Sequence, residues 1–106
     1  MSKCTIGVVG AGSWGTTLAN MLADKGLPVM LWAYETQLVD MINVHHCNNL
    51  FLPGVSLHPG LSCTGDLDRA VAGKDIVLWV TPVKAFRDLF SRAHSAAGAI
   101  HVCASK

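Results

Sequence analysis

The run Gly10-Ala11-Gly12-Ser13-Trp14-Gly15 constrains this chain more than any other feature, because of what stands on either side of it. Before it, Thr5-Ile6-Gly7-Val8-Val9 is short, apolar and rich in β-branched residues, the pattern of a buried strand. After it, Trp14, Leu18, Met21 and Leu22 recur at helical spacing until Gly26 and Pro28 end the repeat behind Lys25. Glycines so spaced on a strand-to-helix turn serve distinct purposes. The first permits the tight turn, the second lets a ligand reach the backbone, and the third lets helix and strand pack closely. A glycine turn with no ligand is the alternative reading, and the flanking strand and helix weigh against it.

The rest of the chain repeats the alternation. Pro28-Val29-Met30-Leu31-Trp32-Ala33 reads as a second buried strand, and Leu38, Met41 and Ile42 suggest a helix with Thr36 as its cap. His45 to Gly60 is turn-rich and holds Pro53-Gly54 and Pro59-Gly60. Leu61-Ser62-Cys63-Thr64 fits a short third strand, and Asp66 fits the cap of a brief helix carrying Leu67, Ala70 and Val71, ended by Gly73. Asp75-Ile76-Val77-Leu78-Trp79-Val80 is apolar on both faces, as a central parallel strand covered by helices requires. Phe86, Leu89, Phe90 and Ala93 then form a helical stripe, and Ala99 to Ala104 a last apolar run. The pattern predicts an α/β fold with a doubly wound, Rossmann-type parallel sheet, incomplete at its C-terminal end, in one dinucleotide-binding domain over residues 1–106.

Composition removes several function classes. A content of 51% hydrophobic and 14% charged residues argues against disorder in a chain of 106 residues, the size of one domain. Net charge is +1 with no cluster of Lys or Arg, so neither nucleic acid nor an anionic membrane is an expected partner. No apolar stretch approaches the ~20 residues that span a bilayer, and Met1-Ser2-Lys3-Cys4 leads straight into the first strand, so neither membrane insertion nor a signal peptide is expected. Cys4, Cys47, Cys63 and Cys103 include no pair at metal-ligand or redox-motif spacing, as in reduced thiols of a cytoplasmic protein.

The glycine loop implies that Gly10, Gly12 and Gly15, with the amides of Ser13 and Trp14 at the helix entrance, hold the pyrophosphate of a dinucleotide. An acidic residue roughly 20 positions on would accept hydrogen bonds from the adenosine ribose. Glu35 lies at that distance; a solvated residue at the start of the next helix is its other reading. No arginine occupies 33–36 to meet a 2′-phosphate, which favours NAD, with NADP as the alternative. Tyr34 suits an adenine wall or a helix-end cover. The loop Thr81-Pro82-Val83 should lie near the glycines, with Phe86 either walling the nicotinamide side or packing in the core. His45-His46-Cys47 lacks a fourth ligand and its neighbours point apart on a helix, so no metal is expected. Trp32 and Trp79 read as core.

With tryptophan inside the loop and threonine directly after it, Gly10-Ala11-Gly12-Ser13-Trp14-Gly15-Thr16 resembles the opening of glycerol-3-phosphate dehydrogenases. The resemblance continues through Leu31-Trp32-Ala33, Asn48-Asn49-Leu50-Phe51-Leu52-Pro53-Gly54, Asp66-Leu67, Val80-Thr81-Pro82 with Phe86, and Ala104-Ser105-Lys106, covering essentially the whole chain in order. It implies a cytoplasmic oxidoreductase that interconverts sn-glycerol 3-phosphate and dihydroxyacetone phosphate by hydride transfer with a nicotinamide cofactor, feeding phospholipid synthesis. Ser13, Trp14, Ala33, Tyr34, Phe51 and Phe86 then fall at cofactor-contact positions, and Lys106 matches a lysine touching cofactor and substrate. Members of that family continue into a helical domain with the general acid/base lysine and the substrate phosphate site. The resemblance therefore implies no catalytic residue in this chain, weak nucleotide binding without turnover by the chain alone, and a parent enzyme that is a candidate homodimer. Two rivals stay open: a dinucleotide-binding module without chemistry, and a dehydrogenase of the same fold with another small substrate, since fold does not fix substrate.

Overall fold

The computed structural model describes residues 4–81, 83–92 and 99–104. Its strands are β1 (Ile6–Val9), β2 (Val29–Trp32), β3 (Ser62–Thr64), β4 (Ile76–Trp79) and β5 (Ile100–Cys103), and its helices are α1 (Ser13–Asp24), α2 (Thr36–His45), α3 (Leu67–Val71) and α4 (Val83–Arg92). The strands form one parallel sheet in the order β3-β2-β1-β4-β5. The chain winds outward from β1 to β3, crosses back to β4 and winds outward the other way to β5. With right-handed crossovers that path puts α1 and α2 on one face and α3 and α4 on the other. The winding reverses between β1 and β4, where Val9 lies level with both Trp32 and Trp79.

Alternation along each strand feeds two cores. Ile6, Val8 and Leu31 pack with Ala19, Leu38 and Ile42 on the α1/α2 face, whereas Val9, Trp32, Val77 and Trp79 pack with Ala70, Val71 and Leu89 on the α3/α4 face. Successive strand side chains point to opposite faces, so β1 must be apolar throughout, and all four of its residues are buried. The same demand was expected along β4, but only Val77 and Trp79 are fully buried; Ile76 and Leu78 are half-buried, because α1 and α2 cover the β1–β3 half of their face. The last apolar run does form a strand, β5, and lies at the sheet edge with every residue exposed.

Local signals account for most boundaries. Asp66 caps α3 as expected, its Oδ1 accepting from the Asp68 amide at 3.1 Å. Thr36 is not the cap of α2: the helix starts at Thr36, and Glu35 occupies the extended cap position without a side-chain bond. The turn-rich stretch after α2 is a loop, yet Leu57 and Leu61 are buried in the α1/α2 core. It is tied down by hydrogen bonds from the Leu57 amide to the His46 carbonyl (2.8 Å) and from the His58 amide to Asn20 Oδ1 (2.7 Å). On the outer edge of β3, the Asn43 side chain both donates to the Cys63 carbonyl and accepts from its amide, each at 2.8 Å. It thereby occupies backbone groups that an open sheet edge would offer to another strand.

Candidate dinucleotide site

The turn from β1 into α1 is shaped by its glycines. Gly10 has φ +123, and a Cβ there would run into the Val80 carbonyl of the neighbouring strand end. A Cβ on Gly15 would collide with the Gly10 carbonyl, so the first turn of α1 seats directly against the loop. Gly12 differs, since a Cβ built on it meets no atom within 4 Å. Gly12 is also the N-cap of α1, supplies no side-chain cap bond, and is followed by a first turn without acidic residues. The leading amides and the positive end of the helix dipole thus face open space, the arrangement that suits a phosphate anion.

That space is a cavity of about 680 Å3, within the range of small-molecule sites. Gly10, Ala11 and Gly12 form one side, and Trp32, Tyr34 and Glu35 at the end of β2 form a second. Phe51 reaches it from the loop after α2, and Gly65 from the turn before α3. Val80 and Thr81 follow β4, while α4 contributes Ala85, Asp88 and Leu89. The cavity lies at the carboxyl ends of the strands, at the point where the winding reverses, the usual ligand site of such sheets.

Of the residues singled out in the sequence, Gly10, Gly12, Tyr34, Glu35 and Phe51 come together in this cavity. Tyr34 is 79% exposed and stacks edge-on with Trp32, ring centroids 6.2 Å apart. Ser13, Trp14, Gly15 and Ala33 stand outside the lining. Ser13 opens α1 and its carbonyl accepts the Thr17 hydroxyl at 2.7 Å. Trp14 is 44% exposed and donates its indole N–H to the Ala104 carbonyl at 3.1 Å, joining the start of α1 to the end of β5. Ala33 is buried, with its amide on the Thr64 carbonyl. The Phe86 side chain and Lys106 lie outside the described residues.

Trp79 is core, fully buried with its Nε1 on His101 Nδ1 at 3.0 Å. Trp32 belongs to the core and also lines the cavity, so the core reading covered only part of its role. Among the described residues no group of three or more His, Cys, Asp or Glu side chains is placed to hold a metal ion, and His45-His46-Cys47 forms none.

Sequence reasoning missed Asn48 as a structural element. It is fully buried, donates from Nδ2 to the Ala11 carbonyl (2.9 Å) and to Thr16 Oγ1 (2.8 Å), and accepts the Phe51 amide on Oδ1 at 3.1 Å. Thr16 closes the network by donating to the same Ala11 carbonyl at 3.1 Å. One asparagine therefore fastens the Phe51 loop to the glycine turn. Asp88, Ala85 and Gly65 were missed as well; in a chain read one element at a time, nothing marks which face of α4 looks toward β2. Away from the cavity, burial pushes the Cys63 thiol up to about 12, against a smaller lowering by the hydrogen bond with the Thr64 backbone.

Residues 5–106 match the protein family described as NAD-dependent glycerol-3-phosphate dehydrogenase N-terminus. A glycerol-3-phosphate dehydrogenase [NAD(P)+] of Geobacter sulfurreducens is 53% identical over 87 residues, 82% of this chain and 26% of the relative. One from Syntrophotalea carbinolica is 46% identical over 103 residues, 95% of this chain and 31% of the relative. Among solved structures, the glycerol-3-phosphate dehydrogenase of Coxiella burnetii superposes with a TM-score of 0.88 at 36% identity, covering 98% of this chain and 33% of that one. The chain thus spans between a quarter and a third of the length of these proteins.

Proposed function

The chain belongs to the family of NAD-dependent glycerol-3-phosphate dehydrogenase N-terminal regions, and from that premise we propose that it is the cofactor-holding part of such an enzyme. The whole protein would exchange hydride between a nicotinamide cofactor and sn-glycerol 3-phosphate or dihydroxyacetone phosphate, for glycerophospholipid synthesis. The observation that carries the reading is the open space in front of Gly12, at an uncapped helix N-terminus facing a cavity of about 680 Å3.

The nicotinamide ring, when bound, supplies the carbon that gives or takes the hydride. The chain's own residues bind and orient. Amides of the first turn of α1 hold the pyrophosphate, and Glu35 accepts from the ribose hydroxyls at the tip of β2. Tyr34 and Phe51 shield the cavity mouth. Ser13, Trp14, Ala33, Phe86 and Lys106 are assigned to the site by family position, Lys106 to the substrate as well. Trp14 would offer a ring face and no donor, because its N–H is engaged by Ala104. The acid–base lysine, the substrate phosphate site and a homodimeric assembly belong to the whole enzyme in this reading. The free thiols of Cys4, Cys47, Cys63 and Cys103 support a reducing, cytoplasmic setting. No described helix is long and apolar enough to cross a membrane.

Titration of the purified chain with NADH and NADPH, followed by tryptophan fluorescence, tests the proposal. Saturable binding that favours NADH is expected, and Glu35→Ala should weaken NADH by roughly tenfold, the loss of a charge-assisted hydrogen bond. Absence of binding would overturn the reading, and a clear preference for NADPH would overturn the role of Glu35. Oxidation of NADH by dihydroxyacetone phosphate with this chain alone would refute the assignment of the chemistry to the rest of the enzyme.

A further inference from the structure

The Trp14 indole joins the first turn of α1 to the end of β5, its N–H donating to the Ala104 carbonyl at 3.1 Å across 90 positions of sequence. Ala104 is thereby held through both of its main-chain groups, because its amide donates to the Trp79 carbonyl at 3.0 Å. The strand it ends is the sheet edge, paired with β4 and with every residue exposed. A peptide unit is planar, so a carbonyl oxygen held in place also fixes the direction in which the next residue departs. The residues that depart from Ala104 are Ser105 and Lys106.

This inference rests on the dinucleotide reading. With the pyrophosphate at Gly10–Gly12 and a ribose at Glu35, at the carboxyl ends of β1 and β2, the rest of the dinucleotide extends toward β4 and β5. Trp14 stands two residues beyond Gly12, so the Ala104 carbonyl lies beside the helix end that faces the phosphates. From Ala104, two extended residues span at most about 7 Å, and the four-carbon stem of Lys106 adds to that reach. A cation on a flexible stem binds an anion better when its backbone starting point is already fixed, because less freedom is lost on contact. We propose that Trp14 is a positioning residue: by holding the Ala104 carbonyl, its indole N–H sets the exit from β5 so that the Lys106 ammonium meets the bound dinucleotide. The effect runs through the N–H, so a replacement that keeps the ring and removes that donor loses it.

The test is NADH titration, followed by the fluorescence of the cofactor itself, on the wild-type chain and on chains folded by circular dichroism at the same temperature. These carry Trp14→Phe, a benzothiophene ring in place of the Trp14 indole (sulfur replacing the N–H), Lys106→Ala, and each Trp14 change combined with Lys106→Ala. Lys106→Ala should weaken NADH about tenfold, one charge-assisted hydrogen bond. Each Trp14 change should weaken it about threefold with Lys106 present and have no effect once Lys106 is alanine, the non-additivity of residues that act through one another. A tryptophan that only braced the edge strand would cost the same factor in both backgrounds, and one that only laid its ring on the cofactor would keep full affinity as the benzothiophene. Either result, or unchanged affinity in Lys106→Ala, would overturn the proposal while leaving the cofactor reading standing. Failure of the wild type to bind NADH would overturn both. Should Trp14→Phe not fold, the near-isosteric benzothiophene, with and without Lys106→Ala, decides.

Discussion

Replacing Asn48 by alanine removes the link between the Phe51 loop and the glycine turn, and the cost can be worked from its contacts. Its bonds to the Ala11 carbonyl, to Thr16 Oγ1 and from the Phe51 amide are lost together. At roughly 1 kcal/mol net for each bond they amount to ~3 kcal/mol. The Thr16 hydroxyl still donates to the Ala11 carbonyl, which lowers the cost, while the space left by a fully buried side chain raises it. A loss of about 2–4 kcal/mol is expected, a large fraction of the ~5–15 kcal/mol typical of a domain. Asn48→Asp makes the argument sharper. It keeps the acceptor for the Phe51 amide but sets a buried carboxylate against the Ala11 carbonyl, so at neutral pH it should cost more than alanine. Burial raises the folded-state pKa of the acid above its unfolded value, so Asn48→Asp should recover part of its loss as the pH falls from neutrality toward the ordinary carboxylate value, and no more below it. Urea denaturation followed by circular dichroism measures each variant, and dinucleotide titration reads the loosening of Phe51. A loss below about 0.5 kcal/mol for Asn48→Ala, or an aspartate no worse than alanine, would refute the network as the anchor of the site.

Gly15→Ala forces a methyl group onto the Gly10 carbonyl and should destabilise by about 1–3 kcal/mol, whereas Gly12→Ala meets open space and should cost under about 1 kcal/mol while weakening dinucleotide binding; paired melts and titrations separate the two effects. Trp14→Phe removes the indole donor to the Ala104 carbonyl and should lower stability by about 0.5–1 kcal/mol, read by thermal denaturation. For Cys63 the unfolded chain gives up its thiol proton near 9.0 while the folded chain holds it to about 12. The unfolded state then binds fewer protons, so stability should fall as pH rises between those values, and Cys63→Ala should flatten that decline in urea denaturation at stepped pH. In alkylation below pH 9, exposed Cys103 should react well before buried Cys63.

What the sequence determined by itself was the local grammar. Short apolar runs became β1 to β5, period-3.6 stripes became helices, and Asp66 became a cap, because strand pleat, helix pitch and capping are decided by residues a few positions apart. The glycine turn was legible for the same reason: the clash of a Gly15 Cβ with the Gly10 carbonyl is set within one turn of chain. Glu35, Tyr34 and Phe51 line the cavity, and Thr36 yielded the α2 cap position to Glu35. Tertiary structure alone decided which distant residues complete the site. Asn48 meets Ala11 across 37 positions and Trp14 meets Ala104 across 90, while Asp88 and Gly65 share a wall only because β2 and β4 flank β1 and the crossovers put α3 and α4 on one face. Such contacts carry no periodic or spacing signal, since a side chain's partner across the sheet depends on strand order and crossover hand, and strand order is a property of the assembled fold.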